Sequence, residues 1–182
     1  MLSNTPRNKL DNLNIGSEEY SIEIVQGLAQ DLYIACLERG FTVTTAESCT
    51  GGLASAIITD IAGSSAIFER AFITYSNSAK IDMLNVEEGL LKQHGAVSVE
   101  VAIAMLDGAL KNAVADFGIA ITGIAGPSGG SQEKPVGTVC FAWGSSEQKQ
   151  KNTMIFNGTR AQVRLAAVSF AFKQLIEQIK QD

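Results

Sequence analysis

A serine stands between a short β-branched run and two glycines in Ala46-Glu47-Ser48-Cys49-Thr50-Gly51-Gly52. Hydrolysing an amide needs a nucleophile, a group that takes its proton, and donors for the oxyanion of the tetrahedral intermediate. Ser48 meets the first need at a strand-to-helix turn, where the backbone N–H groups of Cys49, Thr50 and Gly51 would face a bound anion. Gly51 and Gly52, having no Cβ, allow a substrate or another backbone to approach closely. The same residues also describe an ordinary helix N-cap and turn. Cys49 is a rival nucleophile if a nearby base lowers its pKa, and otherwise a small buried hydrophobe. Glu47 could orient a lysine or a substrate amide, or simply favour the following helix terminus.

The choice of base is narrowed by composition. His94 is the one histidine of the chain, and its place in Leu91-Lys92-Gln93-His94-Gly95 fits a helix end, so a Ser-His-Asp triad is not indicated. Gly51 occupies the position where a Ser-x-x-Lys arrangement would put its lysine. Lysine, tyrosine or a carboxylate remains. Tyr75 and Lys80, in Ile73-Thr74-Tyr75-Ser76-Asn77-Ser78-Ala79-Lys80, can point into one cleft across a turn, or be a half-buried strand residue and a solvated charge.

Two further segments suit substrate binding. Thr122-Gly123-Ile124-Ala125-Gly126-Pro127 follows a strand and exposes backbone N–H groups suited to a phosphate or a carboxamide, although a tight turn alone would explain its glycines. No Gly-Lys-Ser/Thr follows and the spacing fits the dinucleotide fingerprint poorly, so neither a P-loop nor a Rossmann dehydrogenase is supported. Arg160 and Arg164 lie one turn apart near a helix start, where they could clamp a phosphate or serve as surface or subunit contacts.

Together, Ala46–Gly52, Ile73–Lys80, Ile121–Gly130 leading into Lys134–Val139, and Phe156–Arg164 resemble the CinA carboxy-terminal domain family, from about Glu19 to the end of the chain. The resemblance implies a nicotinamide-nucleotide amidase, a serine amidohydrolase that releases ammonia from nicotinamide mononucleotide without metal or organic cofactor. It maps a Ser-Tyr-Lys catalytic set onto Ser48, Tyr75 and Lys80, with Tyr75 accepting the Ser48 proton as phenolate and Lys80 tuning it. Glu47, Cys49, Thr50, Gly51, Gly52, Thr122, Gly123, Gly126, Arg160 and Arg164 are then the substrate-binding and oxyanion residues. Ser78, Asn85 and Thr159 depart from the family pattern, and none removes a catalytic group. The nucleotide-pyrophosphatase domain fused to many relatives is not expected here. A serine amidohydrolase for another small amide, or a non-catalytic nucleotide-binding relative, remains open.

These residues need a scaffold. Residues 1–16 are polar and aperiodic, which predicts a flexible tail ahead of a domain spanning 17–182. A helix is predicted from Ser17 to Gly40, with apolar residues three or four apart, then a strand over 41–45 and a helix after Ser48. A strand over 70–76, short helices over 77–84 and 87–93, and a longer helix over 98–116 follow. Strands over 117–122 and 136–143 flank the glycine loop, a polar edge strand covers 148–156, and a last helix begins near Thr159. The pattern predicts a single layered α/β domain with helices packed on a mixed sheet.

Bulk properties bound the partners. The chain has 182 residues, enough to bury a core, and its formal charge of -5 makes nucleic acid an unexpected partner. Three cysteines, odd in number and without paired metal-ligand spacing, and no signal-like or membrane-length apolar segment predict a cytoplasmic protein with no membrane partner. The expected partners are a small-molecule nucleotide substrate and further copies of the chain in a homo-oligomer.

Overall fold

The computed structural model describes residues 20–182; the expected tail over 1–16 and the helix start at Ser17 lie outside them. Five strands form one mixed sheet in the order β2-β1-β3-β4-β5: β1 (Val43–Glu47), β2 (Phe68–Ile73), β3 (Phe117–Gly123), β4 (Thr138–Gly144) and β5 (Lys149–Ile155). β1 pairs parallel with β2 and β3, while β4 and β5 continue antiparallel. β5 is the expected polar edge, its residues exposed except for a half-buried Met154. Layered α/β architecture is therefore as the sequence pattern predicts.

Side-chain size divides the two faces. Ile119, Ile121, Phe141 and Trp143 pack against α1 (Ile22–Arg39), α2 (Leu53–Thr59) and α6 (Arg160–Gln181). The opposite face presents Ala46, Ala120 and Ala142 to α3 (Asn77–Leu84), α4 (Glu88–His94) and α5 (Val99–Ala113). Small residues let α5 lie close: a Cβ on Gly118 would come within 2.8 Å of Leu106 Cδ1. Gly108, inside α5, costs about 1 kcal/mol relative to alanine, yet a Cβ there would overlap the Leu84 carbonyl at the end of α3. Asn112 Nδ2 donates to Met83 O at 2.8 Å, so α5 grips the end of the short helix that carries Lys80.

Several boundaries move from their predicted places. Ser21 caps α1, accepting from Ile24 N at 3.4 Å. β1 runs two residues later than expected, which makes Glu47 its last residue and pushes α2 to Leu53. Ser48 is thus no N-cap: Gly52 holds that place, and a turn over residues 48–52 separates strand from helix. α5 stops at Ala113 rather than 116, because Val114 adopts φ +55° and ends the helix.

Candidate active site

The connection after β1 runs to β2 on one side of it, and the chain then crosses to β3 on the other side. The carboxyl ends of β1 and β3 therefore form a topological switch point, the place where open α/β sheets bind ligands. A cleft of about 300 Å³ opens there, lined by Ser48, Cys49, Tyr75, Asn77, Lys80, Ala96 and Val97, the 122–126 segment, Ser128, Gly129 and Arg160. A wider depression of about 650 Å³ lies between residues 114–117 and 145–148, but its Ser145 hydroxyl is occupied by the Glu147 and Gln148 amides.

At the floor of the cleft, Lys80 Nζ donates to Ser48 Oγ at 3.0 Å and to Thr74 O at 2.8 Å. Lys80 is 1% exposed, and burial lowers its pKa from 10.5 to about 8, against a smaller opposing effect of Cys49. Such a lysine can accept a proton near neutral pH. Of the two groups that the resemblance makes catalytic, Lys80 rather than Tyr75 is the one in hydrogen-bond contact with Ser48. Tyr75 is 63% exposed, and its hydroxyl accepts from Arg160 Nη2 at 3.0 Å rather than bonding Ser48. A base must reach the proton it removes, and Lys80 does so.

The turn itself is built from both sides. Ser48 N donates to Ile121 O at 2.9 Å, extending the β1–β3 ladder, and Gly51 N donates back to Ser48 O at 3.0 Å. The Gly51 amide is therefore spent on the turn and not open to an oxyanion. Among the described residues the Cys49 and Thr50 amides have no backbone carbonyl partner, the Cys49 amide facing its own thiol, and they remain as the candidate donors. Gly51 and Gly52 are needed for their backbone, φ +58° and +92°, rather than for close approach: a Cβ on Gly51 would have only Arg164 Nη2 near it, at 3.9 Å. Cys49 is buried, and its thiol is pushed up to about 12 by that burial, which removes the thiolate a nucleophile would need.

Glu47 does not line the cleft. Its fully buried carboxylate accepts from Gly52 N at 3.0 Å, Ala54 N at 3.1 Å and Ser55 N at 2.9 Å, satisfying the first amides of α2. Thr122 Oγ1 donates to Ala96 O at 2.8 Å, tying one cleft wall to β3. Gly123 is required by packing, since a Cβ would lie 2.7 Å from Thr138 O, and Gly126 by φ +82°. Arg160 reaches over the cleft to Gly126 O at 2.9 Å as well as to Tyr75. Arg164 does not line the cleft; both its Nε and Nη2 donate to Thr50 O, at 3.1 and 2.6 Å.

Sequence reasoning missed the Ala96–Val97 wall, which carries no chemical signature. It also missed the use of Lys134, whose Nζ holds that wall through His94 O at 3.0 Å and Val97 O at 2.7 Å. The lysine-proline pair at 134–135 was the available signal.

Fold and cleft define an α/β domain with a buried serine–lysine pair at its switch point. The chain belongs to the CinA C-terminal domain family, which matches residues 25–179. It is 52% identical over 161 residues to nicotinamide-nucleotide amidohydrolase PncC of Escherichia coli K12, covering 88% of this chain and 97% of that protein. A CinA-like protein of Syntrophobacter fumaroxidans is 51% identical over 145 residues, 80% of this chain but 34% of that longer protein. Among solved structures, the competence/damage inducible protein CihA from Agrobacterium tumefaciens superposes with a TM-score of 0.83 at 44% identity, over 85% of this chain and 95% of that one.

Proposed function

We propose that this protein is a nicotinamide-nucleotide amidase, hydrolysing nicotinamide mononucleotide to nicotinate mononucleotide and ammonia in pyridine-nucleotide salvage. The substrate is suggested by the name of the Escherichia coli relative, and the chemistry by one observation: a buried lysine 3.0 Å from a serine hydroxyl at the floor of a cleft. Neutral Lys80 takes the Ser48 proton as Oγ attacks the carboxamide carbon. The Cys49 and Thr50 amides receive the oxyanion. Lys80 then returns its proton to the departing nitrogen, which leaves as ammonia and an acyl-Ser48. Water, deprotonated by Lys80, hydrolyses that ester and regenerates the hydroxyl.

Arg160 supplies a cation at the mouth suited to the nucleotide phosphate, although the chain as a whole is acidic. The protein acts in the cytoplasm, in keeping with three free, buried cysteines. Among the described residues no helix is long and apolar enough to cross a membrane. Self-association is supported by Ile34 and Leu37, exposed one turn apart on α1 at 43% and 51%, and light scattering measures it. The deciding experiment is ammonia release from nicotinamide mononucleotide, nicotinamide riboside and nicotinamide by the protein and by Ser48→Ala. Turnover of the mononucleotide that survives in folded Ser48→Ala refutes the assignment of the nucleophile.

A further inference from the structure

The C=O and N–H of one trans peptide unit point in opposite directions. In the nucleophile turn, the Thr50–Gly51 unit is held at both ends. Its N–H donates to Ser48 O at 3.0 Å, and its C=O takes two hydrogen bonds from Arg164, at 3.1 and 2.6 Å, beside a longer one from Leu53 N at 3.2 Å. The guanidinium comes from α6, 114 residues along the chain, and is half-buried against a fully buried Thr50. Gly51 and Gly52 follow at φ +58° and +92°, where the absence of Cβ lets a peptide plane rotate at little steric cost. The softest backbone beside Ser48 is thus fastened by a side chain that does not line the cleft.

The other half of the turn is secured separately. Glu47 accepts from Gly52, Ala54 and Ser55, and Ser48 N stays on Ile121 O, so loss of Arg164 leaves the Thr50 carbonyl to the longer Leu53 bond alone and loosens the Thr50–Gly51 peptide without releasing β1 or α2. If the Thr50–Gly51 plane rotates, Gly51 can no longer close the turn on Ser48 O, and the Cys49 and Thr50 amides, which no backbone carbonyl holds, lose their fixed relation to Ser48 Oγ.

We infer that Arg164 is a positioning residue, which locks the Thr50–Gly51 peptide and thereby holds Ser48 and the adjoining amides in their reactive arrangement, and is not a ligand for the substrate phosphate. The inference rests on the amidase reading above, and its test separates the two. Gly51 amide exchange is followed by NMR in the wild type, Arg164→Ala and Arg164→Lys, alongside kcat and KM for nicotinamide mononucleotide and its riboside. In Arg164→Ala, Gly51 exchange accelerates, and kcat falls roughly 10- to 100-fold, the scale of a single charge-assisted contact, since both lost donors share one carbonyl that Leu53 N still bonds. KM stays within about twofold and both substrates suffer equally, as expected when no ground-state contact is removed. Millimolar guanidinium restores part of kcat in Arg164→Ala and nothing in the wild type. Arg164→Lys, which keeps one donor, lies between, and carries the same readouts should the alanine variant not fold.

A rise in KM confined to the mononucleotide makes Arg164 a phosphate ligand and overturns the inference. Lower thermal stability with unchanged kcat makes it a fastener of α6 alone, and unchanged Gly51 exchange overturns the lock whatever the substrate. If exchange accelerates while the wild type releases no ammonia from nicotinamide mononucleotide, the amidase reading fails and the lock stands.

Discussion

The buried lysine makes one quantitative prediction with two readouts. Lys80 titrates near 8 in the folded protein in place of 10.5, because burial disfavours its charged form. At pH 7 roughly a tenth of the molecules then carry the neutral amine, against roughly 3 in 10,000 for an unperturbed lysine, so burial raises the supply of base about 300-fold. kcat/KM for nicotinamide mononucleotide should climb about tenfold from pH 7 to pH 9 and level off above that. Stability must follow the same shift. Between pH 8 and 10.5 the unfolded chain still holds the Lys80 proton that the folded protein has released, so stability rises with pH across that window. Below about 8 the burial penalty is fully present, and its relief is worth about 3 kcal/mol. Urea unfolding of the wild type and Lys80→Met at pH 7 and pH 10 isolates this contribution, since all other titrating groups are common to both proteins. The wild type should gain about 2 to 3 kcal/mol more than the variant over that interval. Parallel behaviour of the two proteins, or an activity limb near 10, would falsify the assignment of Lys80 as the buried base.

Four substitutions test the rest of the site. Arg160→Ala should weaken use of the mononucleotide by about one to two decades while sparing the riboside, which has no phosphate; equal losses on both make Arg160 structural. Tyr75→Phe removes only the acceptor of Arg160, so kcat should change far less than in Lys80→Ala, and comparable losses of kcat would restore Tyr75 as the base. Cys49→Ala should keep activity within about threefold, a conservative change at a buried site, and iodoacetamide should not inactivate the wild type because the Cys49 thiol stays protonated; rapid inactivation that Cys49→Ala abolishes refutes this. Glu47→Gln turns an amide donor toward backbone donors and should lower unfolding stability by about 3 kcal/mol in urea, and a neutral result contradicts the capping role.

Layer order and most elements were legible because local signals and burial agree along this chain. Apolar spacing of three to four residues marks α1 and α6, and the polar run 149–155 belongs to an exposed edge. The site was less legible wherever distant packing decides it. Lys80 sits in Ser76-Asn77-Ser78-Ala79-Lys80-Ile81-Asp82, a sequence that locally suits a solvated helix; it is buried because α3 and α5 meet at Leu84 and Gly108, well away in sequence. Glu47 and Ser48 were separable only once β1 was seen to end at Glu47, which put the carboxylate under α2 and the hydroxyl at the cleft.

The two arginines carry the same lesson about charge. Spacing by four residues puts Arg160 and Arg164 one helical turn apart, and a shared phosphate site is the natural expectation from that spacing. In the fold, one turn of α6 is enough to carry the second guanidinium from the mouth of the cleft to the back of the nucleophile turn. Arg160 spans Tyr75 and Gly126 over the cleft, where a phosphate can compete for it, whereas Arg164 spends both donors on one backbone carbonyl. An exposed guanidinium on neutral acceptors is available to an anionic ligand in a way that a half-buried, doubly bonded one is not, because withdrawing the latter removes two charge-assisted hydrogen bonds from the buried Thr50 carbonyl and leaves it only the Leu53 amide at 3.2 Å. On the proposed reading the labour divides accordingly: cationic recognition falls to the first arginine, and the rigidity of the nucleophile turn to the second.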